Sequence, residues 1–264
     1  MTILDRIIEN KKKELKLLSA GTSLKDLEKS KLFNRKVISL SQSLLDKDKT
    51  GIIAEFKRKS PSKGIINSLS TVEEVSSGYF REGASGVSVL TDNQFFGGSN
   101  TDLENARGED LFPILRKDFI IDEYQVVESR SIGADVILLI AAVLDYREIL
   151  KLSNLSRSLG MEVLLEIHEY DELDKVNQHV NIVGVNNRNL KTFEVNTDIS
   201  VAIAEKIPNG FLMISESGIS SPEIIKKLKG CGYKGFLIGE KFMCTPDPVK
   251  AFSEFVKDIL LHHD

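Results

Sequence analysis

Glu55 and Lys57 stand two residues apart at the end of an apolar run, in IIAEFKRKSPSKGI, and the same pattern of an apolar segment closing in charge recurs along the chain. Lys117 and Asp118 close FPILRKD, Glu166 closes MEVLLE, and Asn186 and Arg188 follow NIVGV. Glu216, Ser217 and Gly218 follow FLMIS, and Gly239 and Glu240 follow KGFLI. Carboxylates and ammonium groups gathered in one place can exchange protons with a substrate as general acids and bases. The glycines just before candidate helix starts offer bare backbone N–H groups, a ready site for phosphate. In a strand, side chains at i and i+2 share a face, so Glu55 and Lys57 point together, and Asn186 and Arg188 do so if strand geometry persists. The alternative for each charge is a plain ion pair at a wet surface, and KRKSPSK by itself also matches a nucleic-acid patch.

The elements that must position these residues are short and apolar: GIIAEF at 51, GVSVLT at 86, FPILRK at 112, ADVILLI at 134, MEVLLE at 161, NIVGVN at 181, FLMISE at 211 and KGFLIGE at 234. Continuous apolar runs separated by enough chain for a crossover helix are what parallel strands covered on both faces require. STVEEVSSGYFREG, DEYQVVESRSIG, DYREILKLSNLSRSLG and SPEIIKKLKGCG carry helical spacing and end in or near glycine, a common helix terminator. NTDLENARGED, between strands two and three, reads as short and irregular. Eight βα units in 264 residues predict an α/β fold, a single (β/α)8 barrel, over residues 48–264. No Gly-x-Gly-x-x-Gly follows the first strand to suggest a dinucleotide site. Residues 1–47 place Ile3, Ile7, Leu15 and Leu18, then Leu24, Leu27, Leu32 and Phe33, among charges, which predicts two amphipathic helices as an N-terminal extension packed on the barrel, one domain in all. In such a barrel the active site lies at the C-terminal ends of the strands, where all the charges above fall.

Composition narrows the function classes. The 39 acidic and 35 basic residues give a net charge of -4, which opposes a surface built to neutralise a phosphate backbone. Cys231 and Cys244 make neither a disulfide framework nor a Cys-x-x-Cys pair, and each reads as a packed small residue. His168, His179, His262 and His263 lack metal-binding spacing, so no metal is expected. The absence of a long apolar run predicts a cytoplasmic protein without membrane contact.

EFKRKSPSKG, VLTDNQFFGGS, LRKDFI, LLEIH, GVNNRNL, SESGI and FLIGE together resemble indole-3-glycerol phosphate synthase, an enzyme family of tryptophan biosynthesis, across nearly the whole chain. The extension before strand one is similar to that family as well. The resemblance implies a phosphorylated small-molecule substrate, 1-(2-carboxyphenylamino)-1-deoxyribulose 5-phosphate. It is converted by ring closure, decarboxylation and dehydration, a lyase reaction with no redox step and hence no cofactor. It implies Lys117 as general acid at the ketone oxygen and Glu166 as the carboxylate assisting dehydration. Lys57 is implied at the substrate anions and in a later proton transfer, with Glu55 as charge partner and candidate base. Asn186, Arg188, Glu216 and Ser217 match positions orienting the anthranilate carboxylate and sugar hydroxyls. Gly218, Gly239 and Glu240 match the phosphate site, with Ser60 closing over it, and Phe96, Phe119, Leu138 and Leu237 match an apolar wall around the aromatic ring. Position 240 departs from the serine of some relatives, which puts a side-chain hydroxyl contact to phosphate in doubt. Physically, a lysine among cations has its pKa lowered toward the working range and a desolvated glutamate has it raised. A monomer is expected, with no nucleic acid. The rival readings are another phosphate-binding barrel, such as phosphoribosylanthranilate isomerase or a ribulose-phosphate epimerase, and a non-catalytic barrel binding nucleic acid.

Overall fold

A computed structural model describes residues 2–108, 112–190 and 192–261. Each of the eight apolar runs is a strand: β1 Ile52–Phe56, β2 Gly86–Leu90, β3 Ile114–Lys117, β4 Val136–Ile140, β5 Glu162–Ile167, β6 Ile182–Asn186, β7 Leu212–Glu216 and β8 Gly235–Ile238. They pair in parallel in sequence order, and β8 returns to β1 through Ile52–Phe236 and Ala54–Ile238, closing the barrel. A closed parallel barrel leaves no free sheet edge, and its strands are buried on both faces. That is why the runs are apolar throughout rather than alternating.

The two faces are separate cores. Ile52, Ala54 and Phe56 of β1 pack outward against the helical ring, whereas Ile53 packs inward with Leu115, Leu164 and Ile214. Two residues further along those four strands, on the same inward parity, stand Glu55, Lys117, Glu166 and Glu216. The charged residues are thus the top layer of the barrel interior.

The crossover helices follow the sequence reading. Val72–Arg81, Glu123–Ser131, Tyr146–Ser158 and Pro222–Gly230 are helical. Beyond them Gly83, Gly133, Gly160 and Gly232 all have φ between 81° and 98°. That left-handed conformation costs glycine nothing, so these residues end the helices. One segment differs from expectation. Asn100–Arg107, inside the stretch read as irregular, is a helix capped by Ser99, whose hydroxyl accepts from the Asp102 backbone N–H. Its order comes from the cap and from Arg58, which donates two hydrogen bonds to Asp102 (2.6 and 2.7 Å), rather than from an apolar stripe.

The N-terminal extension serves both ends of the barrel. The first expected helix, α1, spans Ile3–Gly21, but the second shrinks to the single turn α2, Leu24–Leu27. Ser30 diverts the chain there: its hydroxyl accepts from Leu32 N–H and donates to Ser131 O at the end of the Glu123–Ser131 helix, tying the segment to the helical ring instead of extending α2. A third short helix, α3 (Leu40–Leu45), seats Leu40 and Leu44 in the inner core and plugs the bottom. Around the plug, Glu162 accepts from the Ser39 hydroxyl and the Ser41 backbone. Buried Asp135 accepts from Arg35, Arg107 and the backbone of Ile38 and Ile114. Among the described residues no helix is long and apolar enough to cross a membrane.

Candidate active site

Opposite the plug, the barrel opens into a cavity of about 520 Å³. It is lined by every position singled out from the sequence as a candidate: Glu55, Lys57, Ser60, Phe96, Lys117, Phe119, Leu138, Glu166, Asn186, Arg188, Glu216, Ser217, Gly218, Leu237, Gly239 and Glu240. The rings of Phe96 and Phe119 lie 6.0 Å apart on one wall.

Lys117 is the hub. Its ammonium donates to Glu166 Oε2 at 2.7 Å and lies 3.1 Å from Glu216 Oε2. Beside it, Lys57 donates to Glu55 Oε1 at 2.7 Å, as the i, i+2 spacing requires. Asn186 Oδ1 accepts from the Arg188 backbone, keeping that arginine at the rim. His168 lies behind Glu166, with Nε2 3.4 Å from Glu166 Oε1 and Nδ1 3.7 Å from Glu172 Oε2.

These distances reverse the expected titration pattern. Burial disfavours the Lys117 ammonium, but its neighbours are the carboxylates of Glu166, Glu216 and Glu55 rather than cations, and they hold its pKa above the ordinary lysine value. The raised glutamate is not Glu166. Burial would raise Glu166, yet Lys117 and then His168 outweigh it and keep the carboxyl down to about 2. Glu216 is pushed up to about 7 by burial, with the Glu166 charge adding to it against the pull of Lys117. One ammonium cannot fully compensate two buried carboxylates, so the pair takes up a proton more readily than an isolated carboxylate, and Glu216 is the member pushed upward.

That asymmetry predicts a pH effect on stability. Between Glu216's ordinary value of 4.5 and its native value of about 7, the folded protein holds a proton the unfolded chain has released. The stabilisation is complete below 4.5 and is lost as pH rises through 7, on the order of 1 to 3 kcal/mol. Glu216→Gln should therefore lose less melting temperature than the parent between pH 5 and pH 8. Equal losses in both proteins would place the raised proton elsewhere.

Local backbone shapes the loops after β7 and β8. Ser217 has φ 66° and Gly218 φ 75°, two successive left-handed residues. For a serine this is strain, and Asn187 restrains it by donating from Nδ2 to the Glu216 and Ser217 carbonyls and to the Ser215 hydroxyl. A Cβ on Gly184 would come within 2.4 Å of Glu216 Oε1, so that glycine makes room for the carboxylate. Valine at Gly218 or Gly239 would disturb more than a phosphate: their Cβ atoms would meet Val195 at 2.3 Å and Glu55 Oε1 at 2.7 Å.

The cations of KRKSPSK are engaged internally. Lys57 pairs with Glu55 and Arg58 with Asp102, Lys59 donates to Gln94 O, and Lys63 pairs with Glu240. Asp118 turns from the cavity centre to receive Lys11 of α1 at 3.0 Å, alongside Arg116 and Thr91.

The extension was expected to cover the barrel mouth, but the sequence did not say which of its residues, or of the loop after β6, would line the cavity. Ile3, Leu4 and Ile7 of α1 line the cavity, as do Leu190 and Phe193. Lys11, buried on the same helix, pairs with Asp92 (3.1 Å) as well as Asp118 and fastens α1 over the mouth. A lysine in line with Leu4, Ile7 and Leu18 on the apolar face of α1 was the available signal, although Glu14 at i+3 (2.8 Å) offers it a surface partner too. Lys11→Met should lower stability by about 3 kcal/mol, since it leaves Asp92 and Asp118 less compensated, and raise KM several-fold as the cover loosens. A folded variant with unchanged kcat/KM would show α1 to be mere packing.

Among the described residues no group of three or more His, Cys, Asp or Glu side chains could hold a metal ion, while His262 and His263 lie outside the described residues. Cys231 packs partly buried against the core, but Cys244, read as packed, is exposed at the cavity edge. It follows the turn that ends the Glu240–Met243 helix, where no side chain covers it enough to bury it.

Comparison with known proteins agrees with this geometry. Solved structures with the same fold include tryptophan synthase subunit alpha from Legionella pneumophila (TM-score 0.61, 12% identity, covering 83% of this chain and 95% of that one). Another is 3-hexulose-6-phosphate synthase from Salmonella typhimurium (TM-score 0.59, 12% identity, 81% and 100%). At those identities the likeness is one of fold. Indole-3-glycerol phosphate synthase from Bacteroides thetaiotaomicron is 45% identical over 257 residues, covering 97% of this chain and 98% of its own. The enzyme of that name from Carboxydothermus hydrogenoformans is 42% identical over 233 residues, covering 86% and 88%. The family model for indole-3-glycerol phosphate synthase matches residues 4–255. With the barrel, the charged rim and these matches together, the chain belongs to the indole-3-glycerol phosphate synthase family.

Proposed function

We propose that the cavity converts 1-(2-carboxyphenylamino)-1-deoxyribulose 5-phosphate to indole-3-glycerol phosphate, carbon dioxide and water, a carbon–carbon lyase reaction. The observation that carries this reading is the Lys117 ammonium held between Glu166 and Glu216 beneath an apolar wall. Ring closure joins an aromatic carbon to the ketone carbon, and negative charge develops on the ketone oxygen. A proton delivered there as the bond forms stabilises the transition state.

Lys117 keeps its proton across the working pH range, so it is in the acid form when the ketone arrives. A developing alkoxide is basic enough to take that proton. The wall of Phe96, Phe119, Leu138 and Leu237 holds the anilino ring against the ketone and excludes water. Loss of carbon dioxide from the former carboxylate-bearing carbon then restores the aromatic electron count. The ring nitrogen expels the hydroxyl, which takes a proton from the Lys57 ammonium and leaves as water, and Glu166, kept ionised by Lys117 and His168, accepts the carbon-bound proton whose loss completes the double bond.

Lys57 and Arg188 are cations for the two anionic ends of the substrate, with Glu55 keeping Lys57 in place. Asn186 and Ser217 orient hydroxyls, Glu216 supports Lys117, and Gly218, Gly239, Glu240 and Ser60 border the phosphate. All the bond changes balance without an electron acceptor, so no cofactor is called for.

Because the sequence contains no tryptophan, the test has a dark background. Incubating the protein with the substrate should raise indole fluorescence continuously. Folded protein that gives no rise at saturating substrate would refute the reading.

A further inference from the structure

Glu240, the second residue after β8, places a carboxylate among cations that come from separate loops. Lys63 Nζ lies 2.6 Å from Glu240 Oε1, and Arg188 Nη2 lies 3.8 Å from Oε2. Burial alone would raise this carboxyl, but Lys63, Lys57 and Arg188 hold it below the ordinary glutamate value. The side chain lines the cavity beside Ser217, Gly218 and Gly239. Lys63 stands near the tip of a two-stranded ribbon, Lys59–Ser60 paired with Gly64–Ile65. The ribbon's base is fixed elsewhere, by Arg58 on Asp102 and by Lys59 on Gln94 O. Its tip is tied to the barrel through Glu240.

We propose that Glu240 is a built-in occupant of the anion subsite: in the empty protein its carboxylate neutralises Lys63 and Arg188, and a sugar phosphate binds by taking its place on those cations. The proposal rests on the phosphate placement given above. Two cations facing one carboxylate are better satisfied by a phosphate, which carries up to two charges and three acceptor oxygens. The pair is also easily exchanged, since the Lys63 side chain is 58% exposed and that of Glu240 31%. Exposed ion pairs contribute little and yield to a competing anion. Displacing Glu240 releases Lys63 to the incoming phosphate and leaves the ribbon's anchored base undisturbed. The glutamate thereby weakens phosphate binding relative to what the cations alone would give, and so sets the affinity for the phosphorylated end of the substrate.

Calorimetric titration of the full chain with inorganic phosphate tests this, using the parent, Glu240→Gln and Lys63→Met. Gln keeps the size and removes the competing charge, and melting curves confirm that each variant is folded. Glu240→Gln is expected to bind phosphate about 10-fold more tightly, the scale of one removed like charge in a partly wet site. Lys63→Met is expected to bind it several-fold more weakly. Unchanged or weaker binding by Glu240→Gln would overturn the proposal, as would the absence of phosphate binding in all three proteins. Turnover is scored separately. Tighter phosphate binding by Glu240→Gln with no turnover in any protein would leave this proposal standing and remove the assigned reaction. Turnover with unchanged phosphate affinity would do the reverse.

Discussion

Lys117→Met is expected to lower kcat by about 10²- to 10⁴-fold, a loss of roughly 3 to 5 kcal/mol of transition-state stabilisation. Methionine keeps most of the stem's packing at the end of β3 and removes only the proton and its charge. The protein should remain folded, because Glu166 and Glu216 face a cavity of about 520 Å³ and can take up a proton once their counterion is gone. The loss should fall on kcat rather than KM, since the ammonium acts as charge develops on the ketone oxygen. Glu166→Gln provides the contrast. It keeps the acid and removes the later proton acceptor, so it should also lower kcat but allow ring closure and accumulate material stalled before dehydration. A Lys117→Met protein with near-native kcat and a raised KM would show this lysine to be an anion holder, and the acid would have to be sought at Lys57.

Asp135→Ala is expected to give the largest loss of stability, about 3 to 5 kcal/mol, the cost of removing one partner from a buried charge cluster. Asp135 is fully buried and ties Arg35 of the extension to Arg107 and to the Ile38 and Ile114 backbones. Without it, two guanidinium groups face each other at the barrel floor. Burial, with the Arg35 charge, already pulls Arg107 down to about 10 against the pull of Asp135. For a chain of this size each kcal/mol moves the melting temperature by roughly 2 to 4 °C, which makes a drop of about 6 to 20 °C the measured outcome. A change of less than 2 °C would show that the extension is held by its apolar contacts alone. The distance from the mouth also matters: kcat should change far less than stability does.

The barrel was legible because parallel strands buried on both faces must be continuously apolar, and eight such runs with glycine-ended crossovers leave little choice of architecture. The site was legible for a related reason. Inward parity carries the pattern from Ile53 to Glu55, from Leu115 to Lys117, from Leu164 to Glu166 and from Ile214 to Glu216, so a polar residue at the C-terminal end of an apolar run falls on the mouth. What parity does not carry is distance across the barrel. Lys117 was expected among cations and stands among carboxylates, because strands β5 and β7, far apart in sequence, bring Glu166 and Glu216 to it. That single fact moved the raised carboxyl from Glu166 to Glu216. The Asn100–Arg107 helix was missed because its order comes from a serine cap and a distant arginine, neither of which leaves an apolar period. That the extension covers the mouth was expected, but not how it divides: the partners of Lys11 at Asp92 and Asp118 hold α1 over the mouth, while α3 takes the floor.

The account stands most directly on the fate of one carbon. With substrate labelled in the anthranilate carboxylate, the parent protein should release one labelled carbon dioxide for each indole-3-glycerol phosphate formed, and Lys117→Met should slow both in parallel. Labelled carbon dioxide without indole, or turnover of the substrate with its carboxylate retained, would contradict it.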